Sequence, residues 1–481
     1  ELLRHLSDTG CLFQDHDGVW HVAFDLDRTG LPVSIREVIG GRVQRLGAET
    51  ARVLALAAVI GRDFEVGLLA RVAGLSEDRV VDLCDAAVDA AVLHETGIID
   101  RYTFAHALIE RTLYDDLSAT RRARTHRGVA EALAAQSGDA PGARRGEPAH
   151  HWAQGTRPQD TAKAVHYARL AGQRALRQLA PTEAVRWFTY ALANLPEAEN
   201  STVAGIDLSV GLGEAQRLVG DPAHRVTLLN SARHARDAGA SGLLVRAALA
   251  NTNSRVSSIG EVDHERVEVL RAALDAVGPQ DSIDRARLLA VLCAELQFDL
   301  DGTSAGIAED AVAMARRLGD TPTFVFVTST CSAGKVVPEH LADHLLDMAE
   351  ACRLADESGD PTQRVLAHWA GAFACADAGD RNRLEEHARI LRVCAGRTGI
   401  ASHRWFTAHV DALAAMFAGD LDVLEAAVAS YLAVGIEVGY EADTIAQWAP
   451  MMITVAQFRG TFATLIPSIE SARAENPGLP V

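Results

Sequence analysis

Glycines near the C-terminal end fall at Gly359, Gly379, Gly399, Gly419, Gly439 and Gly460, so successive separations are 20, 20, 20, 20 and 21. Three of them precede an aspartate, in Gly359-Asp360, Gly379-Asp380 and Gly419-Asp420, and Gly319-Asp320 and Gly220-Asp221 repeat the pair upstream. The physical sense is direct. Glycine ends a helix in the left-handed conformation, and aspartate caps or turns into the next. One helix and its loop take about 20 residues, so a helical hairpin takes about 40. Hairpins of that size cannot bury their apolar faces alone and must stack.

This period, with its small-residue packing, resembles a degenerate tetratricopeptide-like array. Composition agrees with helix. Aromatic residues are 5% of the 481, charged residues 23% and hydrophobic residues 48%. Ala dominates and β-branched runs are short, which favours helix. The net charge of −18 argues against a general nucleic-acid binder, which needs a basic surface. Seven scattered cysteines, Cys11, Cys84, Cys293, Cys331, Cys352, Cys375 and Cys394, form no C-x-x-C pair. They read as small buried hydrophobes in a reducing cytoplasm. With no run of about 18 apolar residues and no signal peptide, a soluble intracellular protein with no membrane partner is expected. The chain opens at Glu1 on what reads as mid-domain sequence, as a piece of a longer protein would.

The N-terminal third reads differently. Residues 1–30 hold a helix end and a small hairpin, Cys11 to Phe13 against Val19 to Phe24. From Ser34, Ile35, Val38, Ile39, Val43 and Leu46 are spaced for one helix face. Ala51 to Ile60 is nearly all apolar and reads as a buried central helix. After a turn at Gly61 to Phe64, Val66 to Ala73 is a short helix, and Ser76 caps a longer one through Ala91. Val92 to Leu108 reads as two strands joined by a Thr-Gly turn, running into a helix that opens on Phe104-Ala105-His106. Three helices and a β-hairpin are the order of a winged helix. Its recognition-helix position carries Glu77, Asp78, Asp82, Asp85 and Asp89, which a phosphate backbone would repel. The one basic cluster, Arg121 to Arg127, lies after the wing. The expected fold is therefore mainly α: a winged-helix module over 31–137, a Gly/Pro/Arg-rich linker over 138–160, and a helical arm over 161–481.

No complete catalytic site is legible. Phe298-Asp-Leu-Asp-Gly-Thr303 matches the nucleophile motif of haloacid-dehalogenase-type phosphatases, but it follows helical sequence where that chemistry needs a strand, and it reads as a helix end and a turn. Phe24 to Thr29 is a weaker echo. Ser332-Ala-Gly-Lys335 lacks the first glycine and the final Ser/Thr of a phosphate loop. The 18 histidines, including the adjacent His150 and His151, show no trio with metal spacing, so no metal site is expected. His106 is the one candidate. At a helix start its imidazole and the free amides suit phosphate oxygens, although such a histidine is more often structural.

The stretches LPVSIREVIGGRVQRLGAETARVLALAAVIGRDF, YTFAHALIERTLYDDLSATRRARTHRGVAEAL, AHHW and ALRQLAPTEAVRWFTYAL resemble STAND-type bacterial signalling ATPases, AAA-related switches known as large LuxR-type regulators or as modules fused to adenylate cyclases. The resemblance covers Glu1 to about Leu195, and the remainder is similar to their helical arms. It implies that residues 1–30 end a nucleotide-binding domain, that Walker motifs lie upstream, and that a LuxR helix-turn-helix follows. In related switches a histidine opening the helix after the wing contacts the β-phosphate of ADP, and His106 resembles it, with Ala107 where other branches carry Asp. The resemblance further implies a parent protein that binds and slowly hydrolyses ATP, self-associates on activation and reaches DNA only through a domain outside this chain. Its arm would bind an inducer or partner protein. Two other readings stay open: the regulatory half of an adenylate or guanylate cyclase, and a helical-repeat scaffold without nucleotide dependence.

Overall fold

The structure is a computed structural model that describes residues 12–14, 20–22, 33–137, 146–155, 157, 160–252, 262–297, 303–332, 341–467 and 470. The described residues hold 22 α-helices and five short strands, and the chain divides into two compact units, Glu1–Leu170 and Ala171–Val481. The helical expectation holds. None of the described helices is long and apolar enough to cross a membrane.

In the first unit, β1 (Leu12–Gln14) and β2 (Trp20–Val22) pair antiparallel, as the alternation near the N-terminus predicts. The central module runs α1 (Val33–Gln44), α2 (Ala48–Ile60), β3 (Asp63–Glu65), α3 (Val66–Ala73), α4 (Glu77–Asp89), β4 (Leu93–Glu95), β5 (Arg101–Phe104) and α5 (Ala107–Asp115). The hairpin read from Val92 onward is present, but it is part of a larger sheet. Residues 63–65, read as a turn, form a third strand, and the order is β3-β5-β4 with all pairs antiparallel. Phe64 explains the strand. It lies opposite Tyr102 and meets the Phe104 ring at 5.7 Å, so three residues suffice to cover the sheet's apolar side. Val53, Leu54 and Ala57 of α2, Leu69 of α3, Val80 and Leu83 of α4, and Ile109 and Leu113 of α5 close the core on it. Ser76 caps α4 by accepting from the Arg79 amide at 3.3 Å. Glu77, Asp78, Asp82, Asp85 and Asp89 are all exposed, and Tyr102 donates to Asp85 at 2.9 Å.

Two helices complete the described part of this unit, α6 (Ala119–Ser137) and α7 (Gly146–Gly155), and α8 (Thr161–Arg177) runs across its boundary. Of the loop read over Ser137 to Pro148, residues 138–145 lie outside the described residues, and helix resumes at Gly146.

The second unit is wholly helical among its described residues. After α9 (Pro181–Ala193) come α10 (Val203–Val219), α11 (His224–Asp237), α12 (Ser241–Ala250), α13 (His264–Val277), α14 (Ile283–Glu295), α15 (Thr303–Leu318) and α16 (Thr321–Thr330). The last six are α17 (Leu341–Ser358), α18 (Pro361–Asp377), α19 (Arg381–Thr398), α20 (Ala401–Ala418), α21 (Leu421–Glu437) and α22 (Glu441–Arg459). Consecutive helices pack on one another, and many also touch the next but one, the neighbour pattern of stacked helical hairpins.

The glycine rule holds at atomic detail. Gly220, Gly319, Gly359, Gly379, Gly399, Gly419, Gly439 and Gly460 all have φ between 64° and 81°. Asp320, Asp360, Asp380 and Asp420 each cap the helix that follows, with carboxylates accepting amide bonds from Thr323, Thr362, Arg383 and Asp422 at 2.8–3.1 Å. Helices one hairpin apart are tied by arginines. Arg246 of α12 reaches Asp207 and Glu214 of α10 at 2.7 and 2.6 Å, Arg225 reaches Asp263, and Arg316 reaches Asp347.

The array also meets itself. Gly220, which ends α10, lies against Val438 and Gly439 at the turn between α21 and α22, more than 200 residues later. A Cβ on Gly220 would strike the Val438 carbonyl, and one on Gly439 would strike the Gly220 carbonyl. Each position thus needs glycine twice over, for its backbone conformation and for the close approach.

Candidate functional site

His106 sits where the sequence places it, at the start of α5 directly after β5. Its backbone is extended, with φ −140° and ψ 141°, and its carbonyl accepts the first helical bond, from Ile109 at 3.0 Å. The side chain is exposed and makes no cap bond. The first amides of α5 therefore lack a side-chain acceptor from this residue, the condition under which a helix start presents donors to an anion. One turn on, burial raises the Glu110 carboxyl, against the lowering effect of Arg62 and Arg111. The strand pairing brings Arg62 there, since its carbonyl accepts from Phe104 at 3.0 Å. A helix start, an exposed imidazole and a nearby guanidinium are groups whose chemistry suits phosphate oxygens.

Of the adjacent histidines, His151 is tied into the fold. His151 is buried and shares a 2.8 Å Nδ1–Nδ1 hydrogen bond with His126 of α6, whose Nε2 meets the Tyr114 hydroxyl at 3.0 Å. Burial pushes His126 down to about 4 and His151 down to about 3, so both rings are neutral near pH 7. The His126–His151 bond joins α7 to α6.

The motifs set aside on sequence stay aside. Residues 283–295, ahead of the Asp-Leu-Asp-Gly stretch, form helix α14, and residues 298–302 of that stretch lie outside the described residues. Phe24 to Thr29 and residues 333–335 also lie outside them.

Among the described residues of the second unit, grooves open between neighbouring helices. One, of about 530 Å³, lies among α19, α20 and α21 and is lined by Arg392, Arg404, Thr407, Asp411, Ser430 and Val434. Arg392 pairs with Asp411 at 2.7 Å, and burial raises the Asp411 carboxyl. Another, of about 430 Å³, is lined by Glu214, Arg217, Val245, Arg246, Leu249 and Asp284. Mixed apolar and charged walls of this kind suit a polar, partly apolar ligand or a peptide segment.

Sequence reasoning missed one constellation. Cys352 of α17, His368 of α18 and His387 of α19 present donor atoms within 4.8 Å of one another. They are 16 and 19 residues apart, close to one helix-and-loop period, so the repeat stacks them on neighbouring helices. Spacing rules built for ligands on one loop or helix do not find such a set. Burial pushes the Cys352 thiol up to about 12 and His387 down to about 4.

No family model matches the chain, and no curated protein matches it. Among solved structures it is similar to a signal transduction ATPase with numerous domains carrying a tetratricopeptide repeat sensor, PH0952 from Pyrococcus horikoshii. That likeness has 10% identity, covers 92% of this chain and 67% of that one, and has a TM-score of 0.43. The chain is also similar to a Rap protein complexed with competence and sporulation factor, at 10% identity over 92% of this chain and 99% of that one, with a TM-score of 0.38. At these scores neither likeness assigns a function.

Proposed function

We propose that this chain is the regulatory and sensor portion of an ATP-dependent cytoplasmic signalling switch that controls transcription. The observation that carries the reading is the exposed His106, with no cap bond, on the helix that leaves a small three-stranded sheet. Helix, strand, two helices and a two-stranded return, in sheet order β3-β5-β4, support reading this module as a winged helix. The exposed acidic face of α4 supports a protein-facing winged helix rather than a DNA-reading one. In this reading ADP or ATP binds to a domain upstream, and His106 with the start of α5 contacts its β-phosphate. The helical arm receives an inducer or partner protein. Exchange of nucleotide releases the closed state and permits self-association, and DNA is reached through a domain outside this chain.

The test is nucleotide response in protein extended upstream. ADP should raise the thermal midpoint of that protein. His106→Ala should weaken ADP binding roughly tenfold or more, as loss of a charge-assisted hydrogen bond does, without changing the midpoint in the absence of nucleotide. Equal ADP affinity in the variant would end the assignment of His106. No nucleotide response in the unaltered protein would leave a helical scaffold as the better description.

A further inference from the structure

We propose that Cys352, His368 and His387 form a binding site for a thiophilic transition-metal ion, Zn²⁺ by preference. Three successive helices of the arm contribute one donor each: a sulfur from α17 and imidazoles from α18 and α19. The proton positions follow from the partners. His368 Nε2 faces the Asp356 carboxylate at 3.2 Å and so carries hydrogen, which leaves its Nδ1 as a lone pair. That Nδ1 lies 2.8 Å from Nδ1 of His387, which must then be the donor. His387 Nε2 is left as an unprotonated acceptor. It faces the same small space as Cys352 Sγ, beside Gly371, where a Cβ would sit 3.2 Å from that nitrogen and 3.1 Å from the sulfur. A lone pair on the half-buried His387 ring, a buried thiol and a glycine that keeps the space between them open bring two donors to one point.

The donor set fixes the ion's chemistry. Thiolate with imidazole selects Zn²⁺ or another soft late transition ion over Mg²⁺ or Ca²⁺. Tetrahedral zinc, with bonds of about 2.0–2.3 Å, holds its donors about 3.3–3.7 Å apart. The 2.8 Å hydrogen bond between the two Nδ1 atoms must break to free His368 Nδ1, and the widest donor separation, under 4.8 Å, must close, both by side-chain rotations. His368 would bind through Nδ1 while Asp356 holds its Nε2–H, the carboxylate–histidine–metal arrangement that fixes a ligand ring. Cys375 lines the same cavity of about 230 Å³ but lies outside the 4.8 Å donor set, so water would complete the coordination. On binding, the Cys352 S–H bond breaks, the S–metal bond forms, and the proton leaves to solvent. An ion held by α17, α18 and α19 would lock one and a half hairpins of the arm as a unit.

The test uses the full 481-residue chain, stripped with a chelator under a thiol-free reductant and titrated with Co²⁺. One equivalent should bind with a thiolate-to-cobalt charge-transfer band, and Zn²⁺ should displace it and raise the thermal midpoint. Cys352→Ser should abolish the band. Asp356→Asn should keep the band and weaken binding roughly 10- to 100-fold, as loss of a ring-orienting partner does. His387→Gln, checked for retained helicity, decides the case if Cys352→Ser does not fold. It should weaken Co²⁺ binding at least tenfold. Absence of a charge-transfer band in the folded, reduced chain overturns the proposal. So does a band of full intensity in Cys352→Ser, or unchanged affinity in His387→Gln.

Discussion

The two units solve the burial problem in opposite ways. In Glu1–Leu170, Phe64, Tyr102 and Phe104 come from strands nearly 40 residues apart and share one core with helices on either side in sequence. In Ala171–Val481, most helices are held by their immediate neighbours, and arginine pairs reach one hairpin further. The exception is the meeting of Gly220 with Val438 and Gly439. A core of the first kind should fail as a whole. An array of the second kind should fail locally except where it closes on itself.

Large-to-small substitution in each core is the strongest way to break that contrast. Phe64→Ala and Trp369→Ala each remove a buried ring, and each should cost about 3–5 kcal/mol. Trp369 stacks on Phe406 at 4.3 Å within the cluster built from α18 to α22. Hydrogen exchange should then show Phe64→Ala loosening all of α2 to α5, and Trp369→Ala loosening α18 to α22 while α11 to α14 keep their protection. Uniform loosening of the whole second unit by Trp369→Ala would show that the array is one cooperative core.

The closure gives the next largest effect. Gly379 and Gly220 share the left-handed backbone, but a Cβ at Gly379 meets open space and a Cβ at Gly220 meets the Val438 carbonyl. Gly379→Ala should therefore cost only the conformational penalty, about 1–2 kcal/mol. Gly220→Ala must also push two backbone segments apart and should cost about 3 kcal/mol or more. Urea titrations of the two variants compare the costs. Equal costs would mean that the array stays open in solution.

Acid separates the units by their buried histidines. His126 and His151 in the first, and His224, His387 and His403 in the second, are all depressed, chiefly by burial, to between about 3 and about 4. The sign is that of a ring neutral when folded. Unfolded, it takes up a proton near its ordinary 6.5, so stability is complete above that pH and is lost as pH falls toward about 4. Between pH 6.5 and 5 each independently titrating ring should cost about 2 kcal/mol. The hydrogen-bonded pair in the first unit titrates as a pair and contributes less than two separate rings. Hydrogen exchange at both pH values should show the second unit losing more protection. His403→Gln, which keeps a partner for Thr398 in place of the 2.8 Å bond, should flatten the dependence there.

What was legible in the sequence follows the same division. The array announces itself because left-handed glycines and capping aspartates are local demands, restated at Gly319-Asp320, Gly359-Asp360, Gly379-Asp380 and Gly419-Asp420. The hairpin after α4 and the position of His106 at a helix start were equally local. Residues 63–65 were not, because three residues carry no periodicity and become a strand only when Arg101 to Thr103 arrives beside them. The Gly220–Gly439 approach joins two unrelated turns. The Cys352, His368 and His387 set needs the superposition of three helices before its donors are neighbours. Legibility falls with the sequence distance over which a contact must be made.

The caps provide the finest measure of the contrast. Asp320, Asp360, Asp380 and Asp420 begin four different helices and share no hydrogen-bond partner. Each replacement by Ala removes the acceptor for one or two helix-start amides and should cost about 1 kcal/mol. Ser76→Ala, the corresponding loss in the first unit, should cost about the same, since its 3.3 Å bond serves the same purpose for α4. The costs are alike, but their reach should differ. Ser76 caps a helix whose Val80, Leu83 and Cys84 belong to the common core, so its loss should appear in the exchange of the whole module. Loss of Asp380 should appear in α19 and the helices it touches. Asp320→Ala and Asp420→Ala together should then add to within about half a kcal/mol, as distant sites do. A larger departure from additivity would show the closure at Gly220 carrying strain from one end of the array to the other.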